Sequence, residues 1–168
     1  MCNNSDPFGL WPAAVHDKFI ESALGKTKDA AMIKSDSRRF DMLTQFNRQA
    51  PWHAMRAPAQ SVADAKAQTK QFIAGMMGAA ITLESSGHHE DAMNALAKAM
   101  HAEMDKTSPA HRDANGDPLP WDLYSPSGVS AHMKLDESSQ PSQREIQDMD
   151  AKLMAMYNHV MAAKNDKP

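Results

Sequence analysis

Residues 101–111 of the chain read His101-Ala-Glu-Met-Asp105-Lys-Thr-Ser-Pro-Ala-His111. On a helix over residues 87–105, His101 and Asp105 lie one turn apart, so both side chains leave the same face and can bind one cation. Ser108-Pro109 ends this helix, because the residue before a proline avoids the α region, and the following turn can bring His111 back to the same place. The alternative is an exposed ion pair followed by a loop histidine.

The composition favours a helical protein with one core. The chain has 168 residues, which is enough for a single domain, and it contains 14 Met but only two Tyr. Met and Ala are good helix formers, and Met fills irregular gaps between packed helices. We therefore expect an all-α, compact multi-helix domain whose core is rich in Met.

Charge and cysteine content limit the kinds of site that the chain can build. The net charge of −3 provides no basic face for a duplex. It argues only weakly against nucleic acid, because bound zinc ions would make a site locally positive. Cys2 is the only cysteine, which excludes an internal disulfide and leaves eight His and the carboxylates as zinc ligands. No run approaches the roughly 20 apolar residues of a transmembrane segment, and we expect none.

The pattern along the chain predicts five helices. Apolar spacing predicts a helix over 12–24, a polar link over 26–35, and a short second helix that carries Phe40, Leu43 and Phe46. A long helix over 62–84, with Ser61 as its N-cap, is predicted to be the hydrophobic centre. A helix over 89–105 and a last helix after the polar residues 139–142 complete the set, and residues 107–129 between them are predicted to be irregular. The adjacent His88 and His89 are predicted to be solvated.

The order of histidines and aspartates resembles that of a known superfamily. His101, Asp105 and His111 follow the pattern His-x-x-x-Asp-x-x-x-x-x-His, and a second His-x-x-x-Asp follows at His132 and Asp136. This order resembles the zinc-dependent phospholipase C and single-strand-specific zinc nuclease superfamily, which consists of all-α enzymes that bind three zinc ions.

The resemblance implies three groups of zinc ligands in this chain, with up to three Zn²⁺ as cofactor. The first zinc would be bound by Asp41, His53, His101 and Asp105. The second would be bound by His111, His132 and Asp136. The third would be bound by the bridging Asp105, by His16, and by the amino group and carbonyl oxygen of Trp11. Asp41 and Asp105 would take part most directly in catalysis.

Trp11 can supply an amino group only if the chain is cut before it. Residues 6–10, Asp-Pro-Phe-Gly-Leu, resemble the end of the core in rearrangement-hotspot (Rhs) polymorphic toxins, where a core protease releases the toxin after the Leu. The resemblance implies a leader at 1–10, cleavage between Leu10 and Trp11, and a toxin domain at 11–168. It also implies that the toxin is secreted or delivered into a target cell as part of a larger Rhs protein, such as a type VI secretion effector. Its partners would be the Rhs core shell before release and a cognate immunity protein.

The predicted chemistry is zinc-dependent hydrolysis of a phosphodiester. A carboxylate shared by two zinc ions holds them about 3.5–4 Å apart, where they activate water and neutralise the leaving oxygen. The substrate is predicted to be membrane phospholipid, in a phospholipase C-like reaction. The alternatives are a nuclease acting on single-stranded nucleic acid, and a non-enzymatic helical module in which the zinc is structural.

Overall fold

Five α-helices and one 3₁₀ helix make up the described part of this computed structural model, which comprises residues 13–121 and 140–164. The all-α prediction is confirmed, and these residues form no strand. In chain order the elements are α1 (Ala13–Leu24), α2 (Lys28–Leu43), the 3₁₀ helix η1 (Asn47–His53), α3 (Val62–Ser85), α4 (His89–Asp105) and α5 (Gln143–Ala162). None of the described helices is long and apolar enough to cross a membrane.

Helix α4 is the centre of the fold, and it contacts every other helix of the described part. Twelve of its 17 residues are buried, and many of them are alanines, whose small side chains let neighbouring helices approach closely on several sides. Met93, Met100 and Met104 are fully buried, as is Met149 on α5, so the predicted Met-rich core is confirmed.

The prediction that the helix over 62–84 is the hydrophobic centre was wrong. Only Ala65, Thr69, Ala80 and Glu84 of α3 are buried. The large side chains of α3, including Phe72, Ile73 and Met76, are only partly buried. They are spread around a wide arc of the helix, so no single packing partner can cover them all.

The polar link predicted over 26–35 was also wrong, because α2 begins at Lys28. Thr27 caps the helix by accepting a hydrogen bond from the amide of Ala30 at 3.1 Å. The buried positions of α2 do follow helical spacing, but Ser37 and Asp41 are polar and Ala30 is small, so the stripe does not stand out as apolar. The two serine caps were easier to recognise: Ser61 caps α3, and Ser142 forms a capping box with Glu145 on α5.

Helices α2 and α4 run parallel, so their C-terminal ends meet on one side of the molecule. Asp29 and His89 are in contact near the two N-terminal ends, and Ser37 and Asp41 approach His101 near the C-terminal ends. The partial negative charges of two helix C-termini therefore lie together, which favours a cation between them.

The segment after α4 is irregular, but backbone hydrogen bonds fix its position. The amide of Leu119 donates to the carbonyl of His111 at 2.8 Å, and the amide of Trp121 donates to the carbonyl of Arg56 at 2.7 Å. Asp113 accepts hydrogen bonds from two amides of its own turn, where Gly116 has a positive φ of 78°. This backbone pairing accompanies the placement of His111 beside Asp105 at the end of α4 and of Trp121 against His53 of η1.

Candidate metal centre

Asp105 is a buried carboxylate surrounded by four imidazoles. Its Oδ1 lies 3.0 Å from Nε2 of His16. Its Oδ2 lies 3.2 Å from Nδ1 of His53, 3.1 Å from Nε2 of His101 and 3.7 Å from Nδ1 of His111. All five side chains are buried. Because the histidines come from α1, η1, α4 and the loop after α4, only the folded chain brings them together.

A second carboxylate stands beside the first. Asp41, at the end of α2, has its Oδ1 3.7 Å from Nε2 of His101 and 3.8 Å from Nδ1 of His53. Two overlapping groups of side chains can each place three ligand atoms within 4.8 Å of one another. The first is His16, His101 and Asp105, and the second is Asp41, His53 and His101. His101 belongs to both groups, and Asp105 borders the second, so the donors form one continuous cluster.

The outer hydrogen bonds of His53 fix which of its nitrogens faces the cluster. Nε2 lies 2.9 Å from the carbonyl oxygen of Thr44, which can only accept, so Nε2 carries a proton. In the neutral ring, Nδ1 then presents a lone pair toward Asp105 and toward His101, whose Nε2 is 3.1 Å away. A cation at this point satisfies that lone pair, and a metal-bound histidine commonly donates its other N–H to a backbone carbonyl, as His53 donates to that of Thr44.

His101 has a matching outer partner in Ser37, whose Oγ lies 3.0 Å from Nδ1. The hydroxyl can accept a hydrogen bond from Nδ1–H, and the lone pair of Nε2 then faces the cluster. Burial lowers the pKa of His101 to about 4, with His16 and His53 lowering it further against the raising effect of Asp105. At neutral pH His101 is therefore an uncharged imidazole, which is the form that binds metal.

Asp105 is ionised at neutral pH despite its burial. Burial by itself would raise its pKa, but the neighbouring His101 and His111 hold the pKa well below the usual value. The remaining oxygen, Oδ1, faces Nε2 of His16 at 3.0 Å without the alignment of a hydrogen bond. Within the described residues neither of these two buried atoms has a hydrogen-bond partner. A buried nitrogen and a buried oxygen that face each other without a hydrogen bond can both act as ligands of a cation bound between them.

The chemistry of the donor set fits zinc. Imidazole nitrogens and carboxylate oxygens without thiolate suit Zn²⁺, and the carboxylate of Asp105 faces both groups of ligands and could bridge two ions. Buried His and Asp clusters that could hold a metal are therefore present in the described residues. The partial charges of the α2 and α4 C-termini act in the same direction.

Two aromatic side chains hold His53 between them. The ring of Phe40 stacks on it at a centroid distance of 5.7 Å, and Trp121 stacks on it at 5.3 Å. The support of His53 by Phe40 and Trp121 was not predicted from the sequence, and neither were the hydrogen bonds of Ser37 and Thr44. Ser37 is one helical turn before Asp41, which is a weak signal, whereas Trp121 lies 68 residues after His53 and gave no local signal at all.

A cleft of about 530 Å³ opens beside the cluster, with Asp105 in its lining. Ala54, Ile73 and Pro118 contribute apolar surface. Four cationic side chains also line it: Lys66, Lys70, Lys106 and Arg112. Lys66 pairs with Asp117, Lys106 with Glu103 and Arg112 with Glu145, while Lys70 makes no ion pair with a described residue. Glu103 and Asp105 are the acidic residues of the lining, so cationic side chains outnumber acidic ones by four to two, which favours an anionic ligand.

The structure brings together six of the nine residues predicted as ligands from the sequence, namely His16, Asp41, His53, His101, Asp105 and His111. The other three, Trp11, His132 and Asp136, lie outside the described residues, as do Leu10 and the predicted leader.

No family model, no curated protein and no solved structure matches this chain.

Proposed function

We propose that this protein is a zinc-dependent phosphodiesterase of the phospholipase C type, which acts as the toxin domain of an Rhs protein. The observation that carries the proposal is the position of Asp105, which lies among four imidazoles at the edge of a cationic cleft. The toxin role and the cleavage between Leu10 and Trp11 rest on the sequence resemblance alone and remain predictions.

The described residues can hold two ions. Asp41, His53 and His101 would bind one, His16 would bind another, and Asp105 would bridge them. When bound, zinc supplies a water acidic enough to ionise near neutral pH and a positive charge that stabilises the transition state of phosphodiester cleavage.

The rest of the cleft would bind and orient the substrate. Lys70 is an exposed cation without an ion pair in the described part, so it can bind a phosphate oxygen without giving up a protein partner. Lys106 and Arg112 also line the cleft, and the partner of Arg112 is 3.8 Å away, so this pair is weak. Apolar surface from Ala54 and Ile73 would contact the part of the substrate that carries no charge.

A single-strand nuclease is the second candidate, and the four cations of the cleft are the observation that favours it. Successive phosphates of a polynucleotide can each contact a cation, whereas a phospholipid presents a single phosphodiester. Phospholipid remains our first choice, since the net charge of the chain is negative.

The test compares the two substrates in one experiment. Zinc content is measured by elemental analysis, and release of headgroup from phosphatidylcholine vesicles is measured beside cleavage of single-stranded DNA. We expect bound zinc and vesicle hydrolysis, and we expect Asp105→Asn to lower both, with the rate falling by at least about a hundredfold.

The control variant is Lys164→Gln, a change at an exposed residue in the turn that follows α5. It should retain both zinc and activity. DNA cleavage without vesicle hydrolysis would replace the phospholipase by the nuclease, and stoichiometric zinc without either activity would favour a structural metal. Absence of zinc from the wild-type protein would end the proposal.

A further inference from the structure

Three large apolar side chains within five residues of the chain are exposed where α2 ends. Met42, Leu43 and Phe46 are 65%, 57% and 53% exposed, and the other large hydrophobic side chain with comparable exposure in the described part, Met154 on α5, is 39% exposed. We call Met42, Leu43 and Phe46 the α2 apolar face. Exposed apolar side chains scattered singly are normal on a protein surface, whereas a group of three within five residues is typical of an interaction site.

The α2 apolar face belongs to the same short segment that holds the metal centre. Between its members lie Thr44, which accepts from His53, and Gln45, whose Nε2 donates to Oδ1 of Asp41 at 3.2 Å. The segment therefore turns its polar side chains inward to the candidate ligands and its apolar side chains outward. The α2 apolar face begins one residue after Asp41, so a surface that binds this face would lie close to the metal centre.

Two arginines flank the α2 apolar face. Arg39 is exposed three and four residues before Met42 and Leu43, so it shares their side of α2. Arg48 is exposed, and its guanidinium lies 5.3 Å from the centre of the Phe46 ring. Neither arginine forms an ion pair with a described residue. The face thus combines apolar tips with cations that are available to an anionic surface.

We propose that the α2 apolar face docks the protein onto an anionic lipid bilayer, with Met42, Leu43 and Phe46 entering the headgroup region and Arg39 and Arg48 contacting lipid phosphates. Apolar side chains that enter a bilayer beside cations are the basis of interfacial membrane binding. A second protein is a poorer occupant, because three side chains offer on the order of a few hundred Å², below the roughly 600 Å² that each partner contributes to the smallest stable interfaces. The purpose of docking rests on the proposed phospholipase function, but docking itself needs no turnover.

The experiment measures binding and catalysis separately. Co-sedimentation is measured with vesicles of phosphatidylcholine alone and of phosphatidylcholine mixed with phosphatidylglycerol. The triple variant Met42→Gln, Leu43→Gln, Phe46→Ser should bind both at least about tenfold more weakly than the wild type. Met154→Gln is the matched control, an exposed methionine on a different helix, and should bind as the wild type does. Circular dichroism checks that each variant is folded.

The arginines and a soluble substrate complete the test. The double variant Arg39→Gln, Arg48→Gln should lose binding only to the anionic vesicles, and high salt should remove that difference. Cleavage of bis(p-nitrophenyl) phosphate, which is not membrane-bound, should be the same in all these variants. Wild-type binding to vesicles without any hydrolysis would leave docking intact and overturn the proposed phospholipase.

Docking itself is overturned by equal vesicle binding of the wild type and the triple variant, or by wild-type protein that does not bind vesicles. If sedimentation velocity shows a wild-type dimer that the triple variant abolishes, and no vesicle binding, the face is a contact between two copies of the chain.

Discussion

Helix α4 has a cluster of histidine and carboxylate side chains at each end, and the two clusters differ in their proton count. At its C-terminal end, Asp105 meets four imidazoles, and the cluster includes buried nitrogen and oxygen atoms with no hydrogen-bond partner in the described part. At its N-terminal end, about 24 Å away, both ring nitrogens of His89 face carboxylates, to which the protonated ring donates from both. Its Nδ1 lies 2.8 Å from Glu84 and its Nε2 lies 3.1 Å from Asp29.

The surroundings enforce this difference. Hydrogen bonding to Glu84 raises the pKa of His89, against the lowering effect of burial. The second oxygen of Asp29 accepts a hydrogen bond from the Tyr157 hydroxyl at 2.7 Å. Both oxygens of Asp29 therefore have a hydrogen-bond partner at this end of α4. At the other end, burial lowers the pKa of His101 to about 4 and keeps the ring neutral. At the N-terminal end the polar atoms hydrogen-bond one another, so that cluster serves to hold the helices together. At the C-terminal end lone pairs are left without a proton donor, which indicates a ligand such as a cation.

The largest expected effect is that of zinc on the free energy of unfolding. Free zinc at a thousand times its dissociation constant should stabilise the wild-type protein by about 4 kcal/mol, because the unfolded chain lacks the assembled cluster. Urea unfolding with zinc and with chelator measures this difference. Asp105→Asn removes the carboxylate shared by the ligand groups and should abolish most of it.

Glu84→Gln is the control at the opposite end of α4 and should leave the zinc effect unchanged. An undiminished zinc effect in Asp105→Asn would show that the cluster around Asp105 does not bind the metal, and the comparison between the two ends would fail.

The same Glu84→Gln variant should lose stability, whether zinc is present or not. Glu84 is 2% exposed, and the change converts a charge-assisted bond to His89 into a neutral one, at a cost of about 1–2 kcal/mol. Urea unfolding with and without chelator checks both the loss and its independence from zinc. A loss that appears only with zinc would mean that the two clusters are coupled along α4.

Ser37→Ala tests the outer support of a candidate ligand. Without the hydroxyl the His101 ring is less firmly oriented, and zinc affinity should fall about tenfold. Tyr157→Phe is the corresponding change at the other end: it removes the donor to Asp29 and should cost about 1 kcal/mol of stability without altering zinc affinity. Competition with a chromophoric chelator measures the affinity. Equal affinities for Ser37→Ala and the wild type would exclude this support role.

The smallest effect is a pH dependence at the N-terminal end. Because the pKa of His89 is raised above 6.5 in the folded protein, its contribution is complete below about pH 6.5 and is lost as the pH rises through the folded pKa. The groups that face it do not interfere: the pKa of Asp29 is lowered, that of Tyr157 is raised to about 12, and Glu84 is the hydrogen-bonding partner itself.

His89→Gln should therefore remove a stability decline above pH 6.5 that the wild type shows. The difference should stay below about 1 kcal/mol, because a third of the side chain is exposed to screening solvent. Parallel stability curves for the two proteins between pH 6 and 9 would contradict this assignment.

Much of the helical framework could be predicted because its signals are local. Ser61 and Ser142 mark two helix starts by side-chain chemistry that acts within three residues. The start of α2 was missed, since its buried face includes Ser37 and Asp41, which do not read as apolar. The centre of the core was misplaced because apolar composition favoured α3, whereas burial follows the number of neighbouring helices, and the alanines of α4 admit more of them.

The candidate site was predictable only where its residues share a helix. His101 and Asp105 are one turn apart, so their proximity follows from helix geometry. The roles of Thr44 and Trp121 depend on contacts that the fold creates between distant segments. His89 was predicted to be solvated, yet it bridges two carboxylates, because the partner from α2 cannot be recognised before the helices are placed.

The separation of the cluster's residues along the chain has a kinetic consequence. Its side chains come from residues 16 to 111, while each helix forms from residues close in sequence. Contacts between residues so far apart in sequence are expected to form late in folding, after most of the barrier has been crossed. A metal bound there would act chiefly on the unfolding rate and leave the folding rate nearly unchanged. The metal-bound protein would therefore be protected by slow unfolding and not by fast refolding.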